Sequence, residues 1–194
     1  KNRQKLVKDL RFLSKNPPPD TIDNHLRYGK VLYKTGKAQK AEVEFLRVVD
    51  LQPENYEALK YLIDIYLEEK SYLKCLPLVT RAFEKKPVNV AFTYATVLFA
   101  IGRYEEARNI ARNIEETSTE IDFFKGKLYY ELKSYEEAIA RFQFILNGNP
   151  KSFEANLFLG KIYYALFNLQ KAVELLKIAE SINENDFEVL KYLS

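Results

Sequence analysis

Apolar residues recur at helical spacing in five phrases along the chain: KAQKAEVEFLRVV, SYLKCLPLVTRAF, RYEEARNIARNI, SYEEAIARFQFIL and NLQKAVELLKIA. In each, a small residue (Ala41, Cys75, Ala107, Ala138, Ala172) is followed by apolar residues at three, four and seven positions, the stripe of an amphipathic helix. These small residues lie 34, 32, 31 and 34 apart. About twelve residues before each stands a second small or compact one: Gly29, Ile63, Ala95, Gly126 and Gly160. Three further on comes a large apolar residue: Leu32, Tyr66, Leu98, Tyr129 and Tyr163. The pattern predicts a helix, a short turn and a second helix, repeated, with small side chains letting the paired helices approach closely. Turns are expected at TGK, EEKS, IGR, ELKS and LFN, where Gly36 and Gly102 suit the left-handed conformation that ends a helix. Pro53, Pro87 and Pro150 follow the second helix of three units and stop it.

These residues resemble the tetratricopeptide repeat family. Its pattern of small residue, Tyr or Leu, Ala, aromatic and closing Pro is matched by Gly29, Leu32, Ala41, Phe45 and Pro53, and again by Gly126, Tyr129, Ala138, Phe142 and Pro150. The fifth unit matches with Gly160, Tyr163, Ala172, Leu176 and Ala179 but carries Glu184 where proline is usual; the second departs at Ile63 and Cys75, and the third at Ala111 and Thr119. The resemblance implies an all-α, right-handed superhelical solenoid with five repeats at 22–55, 56–87, 88–118, 119–152 and 153–186. Residues 1–21 read as a basic helix, the second helix of a preceding partial unit with Leu6, Leu10 and Leu13 on one stripe, then a Pro-rich linker at Pro17, Pro18 and Pro19. Residues 187–194 read as the start of a capping or further helix. The third unit is short, and Thr119 with Asp122 resembles a capping box that lets the next helix begin immediately; so tight a join is expected to change the angle between the third and fourth units as a local irregularity.

Composition narrows the chemistry. The 194 residues are 47% hydrophobic and 29% charged, and only 6 Gly and 7 Pro leave little room for a sheet of many short strands. A net charge of +3 makes no general case for nucleic acid or a membrane surface, so nucleic-acid binding is not expected. Residues 1–15 hold six bases and one acid, which is either a solvated face or a contact for an acidic partner. The longest uncharged stretch, Pro87 to Gly102, is too short to span a bilayer and reads as a buried helix. The chain opens at Lys1 and contains no Met, as a processed or excised piece would; nothing in it names a compartment.

Catalytic inventory is thin. His25 is the one imidazole, with Tyr28 and Gly29 where helical co-ligands would stand, and reads as structural or solvent-facing. Cys75 reads as a compact buried group. Neither phosphate-loop glycine pattern occurs, and Glu105-Glu106, Glu115-Glu116 and Glu136-Glu137 read as solvated acids at the start or on the exposed face of a helix. No cofactor, metal or catalytic residue is expected.

The family resemblance supplies a different kind of site. In that family, recurring positions of the first helix line a concave groove that contacts bound peptide segments. The Lys, Asn and Arg clamp of its chaperone-binding members is missing, with Leu26, Lys30, Tyr61, Asn89 and Thr93 in those places. The groove positions instead carry Tyr33, Tyr61, Phe92, Thr96, Phe99, Phe124, Lys127, Tyr130, Phe158, Lys161 and Tyr164. Two readings stand: an aromatic lining for a partner's extended peptide or amphipathic helix, or rings that fill the joints between repeats. The expected function is a non-catalytic interaction scaffold. Alternatives are a regulatory or substrate-recruiting part of a larger enzyme or assembly, and a homodimer through the end helices.

Overall fold

The computed structural model describes residues 20–194, so the expected basic helix at the N-terminus lies outside the described residues. Within them every regular element is an α-helix: α1 (Ile22–Lys34), α2 (Ala38–Leu51), α3 (Tyr56–Glu68), α4 (Tyr72–Lys85), α5 (Pro87–Ala100), α6 (Tyr104–Ala111), α7 (Thr119–Glu131), α8 (Tyr135–Gly148), α9 (Phe153–Ala165), α10 (Leu169–Ile182) and α11 (Phe187–Leu193).

Local chemistry sets the helix ends. Thr21, Asn55, Ser118, Ser152 and Asp186 each accept a hydrogen bond from the backbone N–H three residues on, capping α1, α3, α7, α9 and α11. The cap of α7 is therefore Ser118, and not the expected Thr119; Asp122 turns inward instead of closing a capping box. In all five short turns one residue is left-handed at the same register: Gly36 (φ 77°), Lys70 (55°), Gly102 (79°), Lys133 (57°) and Phe167 (59°). Glycine relieves the Cβ clash at two of them, and the other three bear it.

The chain divides into two compact units after Ile101, inside the expected third repeat. In the first unit α1 to α5 pack each on the next; in the second α6 to α11 do the same, with α7 and α9 also touching, as do α9 and α11. The first core centres on Leu32, Phe45, Leu59, Leu62, Ile65 and Val79, and the second includes Tyr129, Phe142, Ile145, Leu159 and Ile162. A Cβ on Gly29 would lie 2.7 Å from the Phe45 ring, one on Gly126 2.7 Å from Phe142, and one on Gly160 2.7 Å from Leu176. The recurring glycines thus give room for a large side chain of the second helix.

Where a tight join is expected after the third unit, the second helix of that unit ends early and an irregular connection follows. α6 has 8 residues, whereas α2, α4, α8 and α10 have 14 each. Beyond it the chain runs irregularly to Ser118, so Glu115 and Glu116 sit in a connection and not on a helix face. The buried Lys125 donates to the Ile114 carbonyl at 2.9 Å and holds this connection; burial pushes its ammonium below the usual lysine range.

Candidate functional site

Each unit contains the same joint between successive hairpins. In the first, the Tyr61 ring stacks on Phe45 (4.8 Å, 5°) and receives Tyr33 edge-on (5.4 Å, 69°). In the second, Phe158 stacks on Phe142 (5.2 Å, 16°) and receives Tyr130 edge-on (5.4 Å, 81°). A third edge-to-face pair joins Tyr164 to Tyr192 of α11 (5.2 Å, 80°). An ion pair also recurs across 27 residues: Lys30 with Glu57 at 2.6 Å, and Lys161 with Glu188 at 3.2 Å.

The expected groove residues consequently divide. Tyr61 and Phe158 are half-buried and stack on the second-helix rings of their joints. Phe124 is only 9% exposed, which takes it out of an open lining, because its helix turns that ring into the second unit's interior. Lys161 is also 9% exposed; Glu188 binds its ammonium and the Tyr130, Phe158 and Tyr192 rings lie 5.3, 5.0 and 5.8 Å from it, so its charge is met within the chain. Tyr33 is half-buried and donates to Glu68 at 2.9 Å; burial first, then the Glu68 carboxylate, push its phenol up to about 12. Burial and the neighbouring Tyr192 likewise raise the Tyr130 phenol. Phe92, Thr96 and Phe99 are half-buried on α5, with the Thr96 hydroxyl donating to the Phe92 carbonyl at 2.9 Å. Lys127 lies over the Phe123 ring at 5.7 Å, and Tyr164 keeps 47% of its surface exposed.

Two groups in the second unit escaped the sequence reading: Tyr192 and Glu188. A signal for both was present, since they follow Phe158 and Glu154 by 34 residues, one repeat. Such spacing marks equivalent positions on successive first helices.

Family comparison follows the same register. The family model described as anaphase-promoting complex, cyclosome, subunit 3 matches residues 35–114 and 82–145, and a tetratricopeptide repeat model matches residues 129–193. The chain belongs to the tetratricopeptide repeat family. No curated protein matches it. Among solved structures of tetratricopeptide repeat proteins it resembles YrrB, described as having an unusual peptide-binding site, with 17% identity and a TM-score of 0.79 over 93% of this chain and 95% of that one. MamA from Desulfovibrio magneticus RS-1 matches with 14% identity and a TM-score of 0.72, over 87% of this chain and 98% of that one. A tetratricopeptide repeat protein from Parabacteroides merdae matches with 16% identity and a TM-score of 0.64, over 99% and 92%. At these identities the likeness establishes the tetratricopeptide repeat fold.

His25 and Cys75 both belong to the packing. His25 is 4% exposed between two carboxylates, with Nε2 at 2.6 Å from Asp20 and Nδ1 at 2.6 Å from Glu44. These acids lie on opposite ring nitrogens and do not converge on one point. Burial alone would lower the imidazole pKa, but the bonds to Glu44 and Asp20 outweigh it and raise it. Cys75 is fully buried, and burial pushes its thiol up to about 11, which disfavours the nucleophilic thiolate. Among the described residues no group of three or more His, Cys, Asp or Glu is arranged to hold a metal ion, and no helix is long and apolar enough to cross a membrane.

Proposed function

We propose that the chain is a non-catalytic interaction scaffold that holds a peptide or amphipathic helix of another protein against the first-helix faces of its second unit. The observation that carries this reading is Tyr164, held edge-on by Tyr192 with 47% of its surface still open to solvent. An aromatic ring fixed by its neighbours loses little freedom when a partner covers it, so such rings serve as binding anchors. Tyr130 and Lys127 lie half-buried on α7, one repeat away in sequence, and supply a second ring and a charge. The peptide-binding site named for YrrB lends support by analogy of fold.

A panel of fluorescent amphipathic-helix and extended peptides, read by anisotropy, tests the reading. Tyr164→Ala combined with Lys127→Ala is expected to weaken the best binder by about 2 kcal/mol while far-UV circular dichroism stays unchanged. Equal affinity of the double variant, or no peptide bound at all, overturns it. The match to the anaphase-promoting complex, cyclosome, subunit 3 model favours a second reading, in which the array is one part of a larger assembly.

A further inference from the structure

Seven residues before the small position, α1, α3 and α9 carry Ile22, Tyr56 and Phe153, each half-buried, and α5 carries Val88. At that place α7 has Thr119, which is short, polar and exposed. The Phe153 ring packs into the cluster that includes Leu176 and Ala179 of α10. Ile145 of α8 is the equivalent of Ala179 and takes up part of the space that Thr119 leaves, but two adjoining hollows of about 240 and 460 Å³ remain. They lie among the start of α7, the last turn of α8 and the start of α9, and Thr119, Ile145 and Ser152 line both. Phe144 borders the larger one with 60% of its surface exposed, at the position where α2 and α4 present the exposed Arg47 and Arg81. One ring in water is ordinary; a ring beside an open hollow extends a single apolar surface.

The walls of this surface are fixed by the chain. Asn156, 1% exposed, donates from Nδ2 to the Pro150 and Ser152 carbonyls at 3.0 and 2.8 Å, and the Ser118 cap holds the start of α7. Phe123, which lines the smaller hollow, lies edge-on to Phe142 and Phe158. A ligand therefore meets a site formed in advance. Charge selects that ligand. Residues 115–120 and 147–154 hold four acids, Glu115, Glu116, Glu120 and Glu154, and one base, Lys151, and Glu120 and Glu154 line the smaller hollow. We infer that the hollow is a docking site for a basic segment of a partner protein that carries one large apolar side chain. That side chain enters beside Ile145 and Phe144, and its basic neighbours meet Glu120 and Glu154. The site lies at the start of α9, whereas Tyr164 is near the other end of that helix, so this inference does not rest on a partner held by Tyr164.

A fluorescein-labelled peptide with one phenylalanine between runs of lysine, titrated with the 194-residue chain and read by anisotropy, tests it. Binding is expected to saturate, to weaken as salt is added, and to fall about tenfold when alanine replaces the peptide's phenylalanine or glutamate its lysines. Thr119→Phe, which fills the hollow from an exposed position, and Phe144→Ser should each weaken the peptide about tenfold while the circular dichroism spectrum stays unchanged. Glu120→Gln with Glu154→Gln should flatten the salt dependence, and in methyl NMR spectra the peptide-induced shifts should centre on Ile145. Tyr164→Ala should leave this binding as it is, which tells failure here from failure of the first-helix reading. Absence of saturable binding overturns the inference. So does equal binding of the alanine or glutamate peptide, full affinity in Thr119→Phe and Phe144→Ser, or shifts that centre elsewhere.

Discussion

The joint around Phe45 in the first unit and the joint around Phe142 in the second follow one plan, 97 residues apart, with the Phe123 ring added edge-on to Phe142 and Phe158 in the second where the first carries Leu26. Gly29, Tyr33, Phe45 and Tyr61 correspond to Gly126, Tyr130, Phe142 and Phe158, and the ring distances agree within half an ångström. The buried polar pair beside each joint is reversed in sign. His25 faces Glu44 in the first unit, whereas Asp122 faces Arg141 in the second, with the same offset of 97. Steric fit tolerates little change in these joints, while the polar position requires only that its partner on the second helix complement it.

The largest effect should come from attacking what the two joints share. Gly29→Leu and Gly126→Leu each place a side chain where a Cβ already meets a ring at 2.7 Å, and each is expected to cost about 3 kcal/mol in urea unfolding. Gly148→Ala, with open space around its Cβ, should be neutral or slightly stabilising, as helix propensity favours Ala over Gly; a similar loss there would mean that close approach to a ring is not what makes the other two substitutions costly.

A smaller effect separates the two. Arg141→Ala leaves Asp122, 3% exposed at its side chain, without its one hydrogen-bond partner, and should cost about 2 kcal/mol. Glu44→Ala should cost less, because His25 keeps its bond to Asp20.

Next come the turns. Phe167→Gly and Lys133→Gly relieve left-handed backbone at non-glycine residues, and each should raise stability by about 1 kcal/mol, while Gly36→Ala should lower it by about as much. Unchanged unfolding midpoints would show that these turns carry no strain.

The smallest effect is a slope with pH. His25 can donate from both ring nitrogens only as imidazolium, and its pKa in the fold is raised. The stabilisation it gives is complete below the ordinary histidine pKa and disappears as pH rises through the higher folded value. Asp20 and Glu44 face the ring, and Arg47 and Asp50 line the cavity beside it. Wild-type melting temperature should therefore fall on moving from mildly acidic to mildly alkaline pH, and His25→Asn should flatten that slope.

The legible part of this molecule was its local part. Apolar spacing near Ala41, Ala138 and Ala172 marked second helices because a helix stripe is written within a dozen residues, and Gly36 and Gly102 marked turns through their own backbone preference. Lys70, Lys133 and Phe167 occupy the same left-handed register without any residue-type signal; only the repeat length points to them. The candidate site was less legible. Its ring positions followed from repeat register, but whether a ring faces solvent or a neighbouring repeat depends on contacts nearly 30 residues away, such as Tyr33 with Tyr61.

By itself the sequence determined the helix pairs, their turns and the small residues at their crossings, because each of these is governed by backbone preference and side-chain volume at short range. The tertiary structure alone decided that Phe124 and Lys161 are buried and that Tyr192 joins the aromatic series. Burial is a property of what packs across from a residue, and that neighbour comes from another repeat.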